Sequence, residues 1–355
     1  MTFKASWSFL DESANTLTTK LGWVFSNQTD TGYWNTYSAD TYTYDAYPGT
    51  HWVMAGHPAA NFILPPTLSF GGNLVGCWTF AMKFAGTSST GSVVRMDGLG
   101  GWYNMVTLLA PNVFSLYVQQ TFKESSDAID LGQWHYYCFK SDMVSNPYKA
   151  EFWMDGVMIL SGTHAQATPR DAGFMQFWSR SNATYPNPNT GTLWAGISYW
   201  DDYADPAQTI AYFSTGDPTK DLSEAPTWVA TSGDTDRFTE VSGVYDEAKN
   251  VSLAAPADGN NVTLGIGGAG GTDDIGDQLG IGSGTILGIS LHTWAMGEGV
   301  SAHAAIGDGS NVTAGATSVI SDTVDPTHLH IGTAVSPTGP AWVMTDQPEM
   351  IFEVD

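Results

Sequence analysis

The sequence predicts an all-β protein: an antiparallel jelly-roll sandwich over residues 1–222, then a smaller β-sandwich or barrel-like domain over 223–355. Three observations predict it. Runs of alternating apolar and polar residues recur without helical periodicity between them. Aromatic residues make up 13%, with 14 Trp, and large rings suit pleated, half-buried surfaces. The 39 glycines fall largely between the runs, where turns need them.

The elements follow in order. CWTFAMKFAG (77–86) sets Trp78, Phe80, Met82 and Phe84 against Cys77, Thr79, Ala81 and Lys83, a strand with one buried face. GSVVRMDG (91–98), MVTLLAP (105–111) and FSLYVQQ (114–120) are strands separated by Gly-, Pro- or Asn-containing turns. GQWHYYCFKSD (132–142) and KAEFWMDGVMILSG (149–162) come next, with Asp155-Gly156 as a two-residue hairpin turn. GFMQFWSRS (173–181) and LWAGISYWDDY (193–203) complete the first set. The polar, proline-containing stretch TGDPTKDLSEAPTW (215–228) reads as a domain edge. Beyond it, 251–268, 283–296, 300–309 and 328–335 alternate short β-prone runs with Gly and Asp turns. The glycine-rich, acidic stretch 265–280 reads as a loop.

Charge narrows the partners. The net charge is −24, and from Trp228 onward there are two basic residues against 17 acidic ones. Nucleic acid and anionic membranes both recruit clustered Lys and Arg, so this balance argues against either partner. No apolar run reaches the roughly 18 residues a membrane helix needs. The first residues have neither the apolar core nor the cleavage site of a signal peptide, so synthesis in a host cytoplasm is expected. The two cysteines, Cys77 and Cys138, sit in aromatic strand patterns and read as buried thiols, with a cross-strand disulfide left open.

Three segments carry a resemblance in the first part: SFLDESANTLTTKLGW (8–23), the pair Trp134-His135 with Trp153-Met154-Asp155-Gly156, and AGISYWDDYADP (195–206). Together they resemble the laminin-G/concanavalin-A-like lectin and glucanase sandwiches, in a phage-encoded form. Residues 244–266, 283–296 and 336–355 resemble a C-terminal β domain of tailed-phage virion proteins. The resemblance implies a non-enzymatic structural protein of the virion surface, as capsid decoration or as a tail or fibre accessory. Its implied partners are other virion proteins and copies of itself. The alternative it leaves is a host-glycan adhesin, and behind that a polysaccharide depolymerase.

Candidate sites are few. Glycoside hydrolysis needs two carboxylates roughly 5–10 Å apart. The Glu-x-Asp-x-Glu strand that hydrolases of this fold carry does not occur here, and Asp155 reads as a turn residue. For a glycan, aromatic rings beside polar neighbours are the candidates: Trp102, Tyr103, Trp178, Tyr185 and Trp194. The polar loop 179–192 is the expected neighbourhood. Asp201, Asp202 and Asp205 are the candidate calcium ligands, competing with a plain turn that starts a helix at 206–213. No other cofactor is implied.

Overall fold

The computed structural model describes residues 3–7, 24–25, 34–37, 43–44, 47–50, 53–56, 62–64, 75–84, 91–98, 102–109, 112–130, 132–133, 135–165, 173–178, 192–203, 228–233, 238–239, 252–253, 261–266, 273–279, 286, 288–295, 301–320 and 327–354. Its early strands are β1 (Phe3–Trp7), β2 (Val24–Phe25), β3 (Trp34–Tyr37), β4 (Thr43–Tyr44), β5 (Tyr47–Thr50), β6 (Val53–Gly56) and β7 (Phe62–Leu64). The long strands follow: β8 (Val75–Phe84), β9 (Gly91–Gly98), β10 (Trp102–Leu109), β11 (Val113–Val118) and β12 (Thr121–Ala128). Then come β13 (His135–Asp142), β14 (Tyr148–Met154), β15 (Val157–His164), β16 (Gly173–Trp178) and β17 (Thr192–Trp200).

These strands build two antiparallel sheets. One has the order β15-β14-β13-β8-β17-β6-β3, with β1 also pairing β17. The other has the order β12-β11-β10-β9-β16-β7-β2. They enclose one core, in which Trp78, Phe80, Tyr137 and Phe152 of the first sheet meet Phe114, Leu116 and Phe177 of the second. Tyr137 stacks on Phe152 at 5.3 Å, and Phe114 meets Phe152 edge-on at the same distance. The aromatic hairpin of β13 and β14 is therefore framework. Each ring fully removed from water contributes on the order of 2–3 kcal/mol.

The hairpin turns follow from their residues. Asp155 and Gly156 both adopt positive φ, 48° and 81°, as a two-residue hairpin between β14 and β15 requires. A polar bridge fastens the two sheets at one end. Asn104 donates to Ser141 Oγ at 2.9 Å and to the Lys149 carbonyl at 3.2 Å, and its Oδ1 accepts from Gln119 N–H at 3.0 Å.

Later strands are β18 (Trp228–Gly233), β19 (Phe238–Thr239), β20 (Ser252–Leu253), β21 (Asn261–Ile266) and β22 (Ile289–Ala295). The last are β23 (Ser301–Gly307), β24 (Val312–Ala314), β25 (Ser318–Val319), β26 (Thr327–Thr333) and β27 (Glu349–Val354). A six-stranded antiparallel sheet, β18-β21-β27-β23-β24 with β25 also on β23, faces a β22–β26 ribbon. Ala302, Ala304 and Ile306 of β23 pack with Leu329 and Ile331 of β26 and with Trp342. Strand β1 touches both strands of that ribbon.

Two expectations need correction. Residues 265–280 are not all loop: α1 (Ile275–Leu279) forms one helical turn there. Asp274 Oδ1 accepts the Asp277 N–H at 2.7 Å, which satisfies an otherwise orphaned amide. Strand β8 is not half-buried: Cys77, Thr79 and Ala81 are as covered as the core face. Strand β12 escapes a reading by hydrophobic pattern because its residues, TFKESSDA, are polar and largely exposed on both sides.

Candidate functional site

The outer face of the seven-stranded sheet carries a continuous ladder of side chains. Gln176 pairs with Arg95, Arg95 with Met105, Met105 with Tyr117, and Tyr117 with Phe122. These residues alternate with the core positions Met175, Val94, Val106 and Leu116, so all five share the face turned away from the core. The row crosses β16, β9, β10, β11 and β12. At ~4.8 Å per strand that is about 19 Å.

The row is buried at its Gln176 end and open at its Phe122 end. Gln176 and Met105 are buried, while Phe122 is 52% exposed. Tyr117 meets Phe122 edge-on at 5.8 Å. Tyr103 lies beneath Arg95, whose guanidinium carbon is 3.8 Å from the ring centroid. Such stacking orients the guanidinium plane and holds it over the sheet. Trp178 Nε1 donates to Gln176 Oε1 at 3.1 Å, which fixes the indole beside the amide. Aromatic faces, a planar cation and an amide are the groups that a polyhydroxylated polymer engages.

The predicted glycan residues divide. Tyr103 and Trp178 both border this row. Trp194 does not: it is 0% exposed and packs edge-on against Phe80 and Phe177, both at 5.2 Å. It belongs to the core, because in the register it lies opposite Met82, on the inner face of β8. Trp102 opens β10, and its side chain lies outside the described residues. Tyr185 and the loop around it also lie outside them. Arg95, Gln176, Tyr117 and Phe122 are additions that the sequence does not single out. The alternation in VFSLYV is a usable signal for Tyr117; nothing in the sequence reveals the five-strand register.

Of the calcium candidates, Asp201 pairs with Lys4 at 3.0 Å, and Asp205 lies outside the described residues. Asp202 follows in the turn after β17. Among the described residues, no group of three or more His, Cys, Asp or Glu side chains converges on a metal-sized space.

A second polar cluster lies on the outer face of the other sheet. Trp153 Nε1 donates to Glu151 Oε2 at 2.9 Å, and the Tyr203 hydroxyl also bonds Glu151. Burial first, then the Glu151 carboxylate, push the Tyr203 phenol far above its ordinary range, so it stays a donor. Lys149 Nζ sits 4.1 Å from the Tyr203 ring centroid and 3.8 Å from Asp142. Opposite charges here are matched locally. The cluster serves to cover the sheet.

No family model matches the chain, and no curated protein matches it. Solved structures similar to it include a Trypanosoma rangeli sialidase in complex with sialic acid, at 9% identity and TM-score 0.33. That match covers 43% of this chain and 25% of the sialidase, so the chain spans about a quarter of its length. The alginate lyase Aly36B matches at 13% identity and TM-score 0.35, over 56% of this chain and 96% of that one. A Ruminococcus gnavus IT-sialidase CBM40 bound to α2,3-sialyllactose matches at 10% identity and TM-score 0.29, over 40% and 83%.

The expectation that the chain is not an enzyme is overturned by these matches, which include sialidases and an alginate lyase. A missing Glu-x-Asp-x-Glu strand excludes one way of building a carboxylate pair and nothing broader. Likeness this slight assigns no activity in its place.

Proposed function

We propose that the chain is a glycan-binding protein of a tailed-phage particle surface, with the outer face of the seven-stranded sheet as its binding face. The ladder Gln176–Arg95–Met105–Tyr117–Phe122 is the observation that supports this reading. It offers an extended track of rings and planar polar groups, a shape suited to a polymer rather than to a compact small molecule. Its bordering residues Tyr103 and Trp178 are ones the sequence singles out.

The particle surface enters through the resemblance of residues 244–266, 283–296 and 336–355 to tailed-phage virion proteins. In this reading, residues 223–355 attach the chain to other virion proteins or to copies of itself. The acidity of that part keeps the particle surface soluble.

The test is affinity electrophoresis of the full chain through gels containing host surface polysaccharide. Retardation of the wild type that is lost in Tyr117→Ala and Phe122→Ala supports the binding face. Mobility unchanged by any host polysaccharide overturns it. The same mixtures, assayed for newly released chain ends, report whether binding is accompanied by turnover. Gold labelling of purified particles by an antibody to this chain tests the location, and absence of label overturns it.

A further inference from the structure

Cys77 and Cys138 lie on the two neighbouring central strands β8 and β13, and both point to the outer face of the eight-stranded sheet. In the register, Cys77 is opposite Lys140 and Cys138 opposite Thr79, so the two cysteines are diagonal neighbours. Diagonal positions usually hold side chains apart. Here the side chains converge, and the sulfurs are 3.1 Å apart. Both residues are buried, at 0% and 2% exposure. A disulfide needs a sulfur separation near ~2.05 Å, so the remaining approach is about 1 Å. Diagonal Cα atoms are typically about 7–8 Å apart, at the edge of disulfide range, so closure takes a small shift of β8 against β13 together with side-chain rotation.

We infer that Cys77 and Cys138 are a cross-link site, forming an intramolecular disulfide when the protein meets dissolved dioxygen. Two S–H bonds break and one S–S bond forms. The two electrons and two protons pass to dioxygen, which leaves as hydrogen peroxide. Burial decides the oxidant: dioxygen is small enough to reach the pair, whereas a bulky disulfide reagent would have to open the sheet first. Burial also decides the product, because no thiol of a second chain can approach either sulfur. In a reducing cytoplasm the pair stays as thiols; the bond forms once the protein leaves that compartment. It staples β8 to β13 and closes a long loop that includes all of β9 to β12, which restricts the unfolded chain.

The experiment is alkylation of the denatured full chain followed by intact mass measurement. One sample is prepared under reductant and one is held native in air-saturated buffer. The expected result is two alkyl adducts under reductant and none after air exposure, with the unalkylated mass lower by two hydrogens. Peptide mapping then finds the Cys77 and Cys138 peptides joined. The thermal midpoint of the oxidised sample rises by roughly 5–10 °C and falls back with reductant. Two adducts after prolonged air exposure of the native protein overturn the inference. So does a disulfide-linked dimer.

Discussion

His135 Nδ1 lies 2.6 Å from Asp155 Oδ2, and His135 Nε2 faces the Asp130 carbonyl oxygen at 2.9 Å. Both ring nitrogens therefore face acceptors, and only the doubly protonated imidazolium satisfies both. Asp155 Oδ1 accepts the Tyr136 N–H at 2.8 Å, so the carboxylate ties the hairpin turn to the start of β13.

This pair sets a pH window for stability. The Asp155 hydrogen bond raises His135 above 6.5; burial opposes it, and the Asp130 carbonyl adds to it. Its stabilisation is full below the unfolded value and is lost as pH rises through the folded one. For Asp155, burial pushes up, but the bonds from His135 and Tyr136 prevail and hold it below 3.8. That contribution is full above the unfolded value and is lost as pH falls through the folded one. Chemical denaturation from pH 3 to 9 should show the wild type's advantage over Asp155→Asn greatest at about pH 4–6.5, at about 1 kcal/mol. A difference independent of pH would refute the ion pair.

Asn104→Ala should cost about 2–4 kcal/mol in denaturant unfolding. The loss exceeds that of an ordinary hydrogen bond because Asn104 serves three partners across the two sheets. Gln119 N–H and the Ser141 hydroxyl would then be left buried with one partner fewer. A cost below about 1 kcal/mol would mean that water replaces the amide.

Gly315→Ala should destabilise the C-terminal sheet by about 1–3 kcal/mol. A Cβ there would meet the Ala304 carbonyl oxygen at 2.8 Å and the His330 carbonyl oxygen at 2.9 Å. Both are backbone atoms of β23 and β26, which cannot step aside singly. Hydrogen exchange should accelerate in β23 and β26 and stay unchanged in β13 and β14.

Trp194→Ala and Phe122→Ala separate core from surface. Trp194→Ala should cost about 3–5 kcal/mol, because it empties the space between Phe80 and Phe177. Phe122→Ala should stay within about 0.5 kcal/mol of wild type while abolishing glycan retardation. Equal stability of the two variants would misplace one of the rings.

Much of the layout is legible in the order of residues alone. Period-two alternation marks β8, β13 and β14, and the Asp-Gly pair marks the turn after β14, because these features depend on neighbours in sequence. What escapes such a reading depends on neighbours in space. The burial of Cys77 and Thr79 needs whatever covers the outer face, which Tyr203 approaches from beyond β17. Trp194 follows a polar loop and so reads as available to a ligand, yet its pairing with Met82 decides its side. The row from Gln176 to Phe122 joins residues 54 positions apart, and only strand register brings them into line.

That row also behaves as a ruler. A guest too short to reach from Arg95 to Phe122 leaves part of the track wet, and one that spans it gains nothing from further length. Among fragments of one polysaccharide, affinity should therefore climb with each added unit, then flatten once about 14 Å, three strand spacings, is filled. The sheet's strand spacing, fixed by backbone hydrogen bonds, would set the shortest stretch of polymer that the protein reads as complete.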